Sequence, residues 1–150
     1  MKLLAGKTAL ITGGSDGIGS AIATAYAGQG ANLVLVGRDR QKLSQKENNL
    51  LPYGIDVLSI SSDLTGNRAA QDIAEKVAAG SLRIDVIVNN AGIGRFIPFA
   101  DSDQSVLDLH LNLNVRVPYL LTRALLNDLI EAQGNVINIS SYFSKRMLLD

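Results

Sequence analysis

Eight residues, Thr12-Gly13-Gly14-Ser15-Asp16-Gly17-Ile18-Gly19, form the segment of the chain best suited to holding an anion. Glycine takes positive φ without steric cost and lets backbone N–H groups come close to a ligand. The segment follows the apolar run Thr8–Ile11 and precedes the small-residue run Ser20–Gly30, the pattern of a turn that leaves a strand and opens a helix. Helix N-termini present unpaired amides and the positive end of the backbone dipole, and both favour a phosphate. A pyrophosphate meets these demands; a plain tight turn is the alternative, and the position after the first strand argues against it. A nucleoside triphosphate loop would carry lysine after the last glycine, where this chain has Ser20.

Such a loop works only if strands and helices hold it. Lys7–Thr12, Asn32–Gly37, Asp56–Ser61, Ile84–Asn89 and Asn135–Ser140 are short, apolar and rich in Val and Ile, and read as strands. Their hydrophobicity is continuous rather than alternating, which is the mark of a parallel sheet covered on both faces. Helical segments are expected near Ile18–Gln29, Arg40–Leu51, Arg68–Ala79 and over a long stretch from Val106 to Ala132, with a kink at Pro118. Strict β-α alternation with right-handed crossovers predicts an α/β fold, a doubly wound sheet in the order 3-2-1-4-5. Ligands of such sheets bind beyond the carboxyl ends of the strands where the order reverses, and the glycine segment lies there.

Composition narrows the function classes. The chain has 150 residues, enough for one domain with one core, and its 14 Lys+Arg balance 14 Asp+Glu. Without basic excess nucleic acid is not an expected partner. No cysteine is present and His110 is the one histidine, so neither a thiolate site nor a histidine cluster can form, and no metal is expected. Gly6 and Lys7 interrupt the N-terminal apolar letters; no signal peptide or membrane span is expected, and the composition suits a cytoplasmic protein.

Four segments in order carry a resemblance. The glycine segment has the form T-G-x-x-x-G-x-G through Thr12, Gly13, Gly17 and Gly19; Asn89-Asn90-Ala91-Gly92 follows the fourth strand; Asn114 lies in the long helical stretch; Asn138-Ile139-Ser140-Ser141 ends the fifth strand. In these the chain resembles the short-chain dehydrogenase/reductase family, over essentially all of its length but only over the first part of a typical member. The resemblance implies a Rossmann-type domain spanning 1–150, truncated before the last strands of the family fold. It also implies an NAD(P)-dependent oxidoreductase moving hydride between nicotinamide and a carbonyl or alcohol.

Roles follow by resemblance, residue by residue. Gly13, Gly17, Ile18 and Gly19 hold the pyrophosphate, Asp63 contacts the adenine, and Asn90, Ala91 and Gly92 line the adenosine ribose; Thr12, Ser15 and Leu64 complete the cofactor-binding set. Ser141 is the catalytic serine, and Asn114 arranges a water for the catalytic lysine, with Asn112 as the alternative register. The tyrosine and lysine of the family's Y-x-x-x-K motif fall beyond Asp150. Tyr142 and Lys145 have the wrong separation to replace them, so the 150 residues alone are expected to be nearly inactive. A noncatalytic NAD(P)-binding or sensing protein, and an assembly protein with a remnant pocket, are the rival readings.

Cofactor preference turns on the end of the second strand. An NAD enzyme carries an acid there that would repel a 2′-phosphate; here Gly37 is followed by Arg38, whose planar fork suits a phosphate. NADP(H) is favoured and NAD(H) stays open, because Asp16 and Asp39 lie close by and Arg38 could be a solvated charge. Asp63 could instead cap the following helix, for which Thr65 is the more natural cap, and the Asn89-Asn90 pair could be a latch beneath the glycine loop. His110 reads as a partly buried structural residue, Leu107, Leu111 and Val115 as a core or interface face, and Gln45–Asn49 as solvated. The apolar fifth strand, bare of its family neighbours, predicts self-association into a homo-oligomer or the need for a partner, the alternative being that the terminal segment Tyr142–Asp150 folds back over it.

Overall fold

The computed structural model describes residues 1–95 and 97–141. Its elements run β1 (Thr8–Thr12), α1 (Gly17–Gly28), β2 (Asn32–Gly37), α2 (Arg40–Leu50), β3 (Val57–Ser61), α3 (Ala69–Ala79), β4 (Val86–Asn89), α4 (Gln104–Leu111), α5 (Val117–Ala124), α6 (Leu126–Ala132) and β5 (Asn135–Asn138). All strand pairs are parallel, in the order β3-β2-β1-β4-β5, as the alternation predicts. Ile11 of the central strand pairs with Leu35 on one side and Val88 on the other.

Both faces of the sheet are covered, which is why the central strands need no polar alternation. Leu10, Val34, Val36 and Ile87 pack with Ile73 and Val77 of α3 and Val117 and Leu121 of α5. Their neighbours in sequence, Ala9, Ile11, Leu33, Leu35 and Val88, pack on the other side with Ala23 and Ala27 of α1 and Leu43 and Leu50 of α2. Each fully buried Leu, Ile or Val contributes about 1.5–3 kcal/mol relative to exposure. Alanine at the buried positions of α1 lets that helix lie close on the sheet, directly behind the glycine loop.

At the opposite end of the sheet Asp85 ties three strands together. Its carboxylate accepts from the Lys7 ammonium at 2.8 Å and from the Thr8 amide at 2.9 Å, while its carbonyl accepts from Asn135 N at 3.0 Å. Gly134 is required beside it, since a Cβ there would overlap the Asp85 carbonyl oxygen.

Three expectations need correction. The long helix is not continuous with one kink at Pro118: a π-helical turn, Asn112–Arg116, separates α4 from α5, and a second break falls at Leu125. Pro118 has no N–H to give Asn114, and the Val117 amide reaches back to the Asn112 carbonyl, so the register widens one turn before the proline. Helix α3 begins at Ala69 with Arg68 before it, so Thr65 is not its cap. The stretch Gln45–Asn49 is not wholly solvated, because Lys46 is buried and its ammonium donates to Thr24 Oγ1 at 2.5 Å. Of the two readings of Leu107, Leu111 and Val115, their exposure is compatible with an interface face and not with the core.

Candidate functional site

β1 delivers Thr12, 2% exposed, to the point where the sheet order reverses. Its Oγ1 accepts from the amides of Asn90 and Ala91, each at 3.0 Å, and donates to the Val88 carbonyl at 3.4 Å. The Asn90 carboxamide answers by donating to the carbonyls of Thr12 at 3.0 Å and Gly13 at 3.3 Å. Asn90 is therefore a latch under the glycine loop, as one of the two readings of that motif holds.

The loop is filled from below and open above. Gly13 has φ +66° and donates its amide to the Val36 carbonyl at 2.8 Å. A Cβ on buried Gly19 would overlap the Gly13 carbonyl and the Asn90 carboxamide. Gly17, at φ +51°, has no heavy atom within 4 Å of the place its Cβ would occupy. The amides of Ile18 and Gly19 belong to the first turn of α1, where a helix has no acceptor of its own for them. Ile18 itself is exposed. A cradle of this form fits a pyrophosphate: room above, donors facing it, and no side chain intruding.

Ser15 lies against the end of β2, where a Cβ on Gly37 would come 3.1 Å from its Oγ. The next residue, Arg38, is exposed, and its carbonyl accepts from Ser61 Oγ at 3.2 Å, which tethers the β2 exit to β3. The nearby acids are occupied locally. Asp39 caps α2, accepting from the amides of Gln41 at 2.9 Å and Lys42 at 3.1 Å. Asp63 accepts from the Thr65 amide at 3.0 Å and hydroxyl at 2.8 Å. Those two bonds, with the Arg38 charge adding to them, hold the Asp63 carboxyl below the usual aspartate range. Leu64 beside it is buried in the core.

Past β4 the chain passes Asn90, Ala91 and Gly92 and meets the π-helical turn. Asn114 Oδ1 accepts from the Ile93 amide and its Nδ2 donates to the Ile93 carbonyl, both at 2.9 Å. Asn112 points elsewhere, donating to the Thr65 carbonyl at 3.2 Å, so the two registers are separated and Asn114 is the one facing the loop after β4. His110 holds the same loop two residues on: its Nε2 accepts from the Arg95 amide at 3.0 Å, which leaves the proton on Nδ1 for the Val106 carbonyl at 2.7 Å. Ser141 is the last described residue, exposed beyond the carboxyl end of β5. Tyr142 and Lys145 lie outside the described residues.

The structure thus gathers Thr12, Gly13, Ser15, Gly17, Ile18, Gly19, Arg38, Asp63, Leu64, Asn90, Ala91, Gly92 and Ser141 at the carboxyl ends of the strands or on the segments leaving them, and Asn114 joins them from the π-helical turn through Ile93. Two residues of this region were not singled out from the sequence as belonging to it: Lys42, one helical turn past Arg38, and His110, one turn before Asn114. Helical spacing from those two residues was the available signal. Among the described residues no helix is long and apolar enough to cross a membrane.

Comparison with known proteins agrees with this architecture. The sequence model of the short chain dehydrogenase family matches residues 7–148. A 12alpha-hydroxysteroid dehydrogenase of Clostridium sp. is 40% identical over 149 residues, 94% of this chain and 58% of the relative. A short chain dehydrogenase/reductase of Macrophomina phaseolina is 34% identical over 147 residues, 95% of this chain and 84% of the relative. Among solved structures, L-sorbose reductase of Gluconobacter frateurii, complexed with NADPH and L-sorbose, superposes with a TM-score of 0.90 at 30% identity, covering 95% of this chain and 55% of that one. A metagenomic short-chain oxidoreductase in complex with NADP gives 0.89 at 39% identity, covering 97% and 66%. Except for the Macrophomina protein, the chain spans about half the length of the curated relatives it matches. With the glycine cradle, the latch beneath it and the sheet order all in place, the chain belongs to the short chain dehydrogenase family.

Proposed function

We propose that this chain is the cofactor-binding portion of an oxidoreductase that binds NADP(H) in preference to NAD(H) and acts on a small-molecule carbonyl or alcohol. The observation that carries it is the cradle: a loop latched by Thr12 and Asn90 and open over Gly17, with Arg38 at the neighbouring strand exit. Solved relatives complexed with NADP or NADPH support the cofactor. When bound, the nicotinamide supplies or accepts a hydride. The amides of Ile18 and Gly19 bind the pyrophosphate, and Arg38 offers a fixed charge and paired donors to the 2′-phosphate. Asp63 and Leu64 border the adenine, and Asn90, Ala91 and Gly92 border the ribose. Ser141 donates a hydrogen bond to the substrate oxygen, and Asn114 sets the segment around Ile93 on the substrate side.

None of the four tyrosines, Tyr26, Tyr53, Tyr119 and Tyr142, has lysine four residues on, so the general acid of the family is not among these residues. A general acid supplies typically ~10²–10⁴-fold in rate. A noncatalytic NAD(P)-binding protein is the second reading. Calorimetric titration with NADPH and NADH, followed by assay with generic ketones, separates them. Binding with turnover supports the enzyme, binding without turnover supports the second reading, and no binding of either dinucleotide overturns both.

The homo-oligomer belongs to the same proposal. Leu107, Leu111, Val115 and Tyr119 form a stripe at four-residue spacing, each half or more exposed, and Val136 and Ile137 of β5 are about two-fifths exposed. Exposed apolar side chains on these elements favour association. Light scattering should give at least twice the 15.9 kDa chain mass, and a monomer at micromolar concentration would refute it.

A further inference from the structure

Lys42 is the one basic side chain that reaches from α2 to the glycine loop: its ammonium lies 2.5 Å from Asp16 Oδ2. The carboxylate is itself pinned, since Oδ1 accepts from the Gly17 amide at 2.7 Å as the cap of α1. The lysine is therefore held at the mouth of the cradle rather than left to sweep through solvent. The bond from Lys42 and that from Gly17 lower the Asp16 carboxyl, and the same bond raises the Lys42 ammonium, so both stay charged across the neutral range.

The surroundings make that placement selective. Gly37 leaves no acid at the strand exit, and a side chain there would press on Ser15. Asp39 is turned into the first turn of α2 and Asp63 onto Thr65, so their hydrogen bonds go to local groups, while their charges still act on Lys42 and Arg38 respectively. Arg38 stands exposed at the β2 exit, Lys42 reaches Asp16 from the first turn of α2, and a phosphate monoester carries close to two negative charges at neutral pH. Arg38 alone matches half of that charge.

We propose that Lys42 is the second cation for the 2′-phosphate of the dinucleotide, and that Asp16 serves to hold it in position. The inference rests on the dinucleotide reading given above. Lys42 shares its protons between the Asp16 carboxylate and the phosphate, so the acid that would oppose an anion becomes the anchor of a group that attracts one. The competing account is that Lys42 merely neutralises Asp16 and never touches the ligand.

Four proteins decide the matter by calorimetric titration with NADPH and with NADH: the unchanged chain, Lys42→Met, Asp16→Asn and Asp16→Asn/Lys42→Met. All the altered side chains are exposed, and Asn keeps the cap of α1, so circular dichroism and melting should be unaltered. Lys42→Met should raise the NADPH Kd roughly 10-fold, as expected for loss of a charge-assisted bond, with NADH changed less than about 2-fold. The double variant should stay roughly 10-fold weaker for NADPH than Asp16→Asn. If instead the double variant binds NADPH as tightly as Asp16→Asn, Lys42 is only a neutraliser and the inference falls while the dinucleotide reading stands. Equal weakening toward both dinucleotides would also overturn it. If the unchanged chain binds neither dinucleotide, the reading beneath it fails, and the inference with it.

Discussion

Asn114 and Ile93 are joined by a closed pair of hydrogen bonds, the carboxamide of one taking both backbone groups of the other at 2.9 Å. A side chain on the π-helical turn thereby stands in for the strand partner that the chain loses after β4. Replacing Asn114 by Leu removes both bonds at once. The Ile93 amide should then exchange with solvent roughly 30-fold faster, given about 1 kcal/mol for each bond. Asn112→Leu, which loses a bond to Thr65 instead, should leave Ile93 unchanged; equal effects of the two would mean that the turn as a whole, not this pair, orders the loop.

The glycines of the loop should differ in their tolerance of a methyl group. Gly19→Ala drives a Cβ into the Gly13 carbonyl and the Asn90 carboxamide and should cost about 1–3 kcal/mol in urea unfolding, with NADPH binding lost. Gly17→Ala meets open space and bears only the cost of positive φ, about 1–2 kcal/mol. Its NADPH affinity should suffer less. An equal loss of binding in both would place the ligand directly against Gly17.

Asp85→Ala strips the buried Thr8 amide of its acceptor and should destabilise the fold by about 1–3 kcal/mol. Lys7→Met removes only the half-exposed partner of the same carboxylate and should cost at most about 1 kcal/mol. Urea midpoints with matched slopes check both. If the two variants lose the same amount, the ion pair rather than the amide bond is what Asp85 contributes.

Acid should weaken the fold through a defined set of carboxyls. Asp63 is held low by the Thr65 amide and hydroxyl, and Asp103 by the Ser105 hydroxyl and the Val106 amide. The unfolded chain takes up these protons more readily, so the stability they contribute is full above about pH 4 and is lost as pH falls through the depressed folded values. Asp63→Asn/Asp103→Asn should flatten the fall of melting temperature below pH 4. An unchanged slope would assign acid unfolding to other carboxyls.

Much of the fold was legible in the letters because the central strands bury both faces. Ala9 to Ile11 and Leu33 to Val36 are almost fully enclosed, and a run without polar letters is what such burial requires. The glycine loop was legible for a related reason: the positive φ of Gly13 favours glycine, and the clearance at Gly19 admits no Cβ. The long helix was misread because its interruption has no letter of its own. Pro118 marks the place, but the widened register begins at Asn112, where the missing N–H of the proline is absorbed by the turn before it. Lys46 was misread among polar neighbours because burial of an ammonium depends on Thr24, a residue of another helix.

Local chemistry, then, was enough to establish the strands, their parallel order, the glycine loop after β1 and the arginine at the strand exit, since each depends on residues adjacent in sequence or on a simple period. Which acids remain able to oppose a phosphate, which asparagine faces the loop after β4, and where Lys42 points were decided by tertiary structure alone. Asp16 meets Lys42 across 26 positions, and Asn114 meets Ile93 across 21. A hydrogen bond needs its partners within about 3 Å, and over such separations only the packing of the sheet and its helices brings them together.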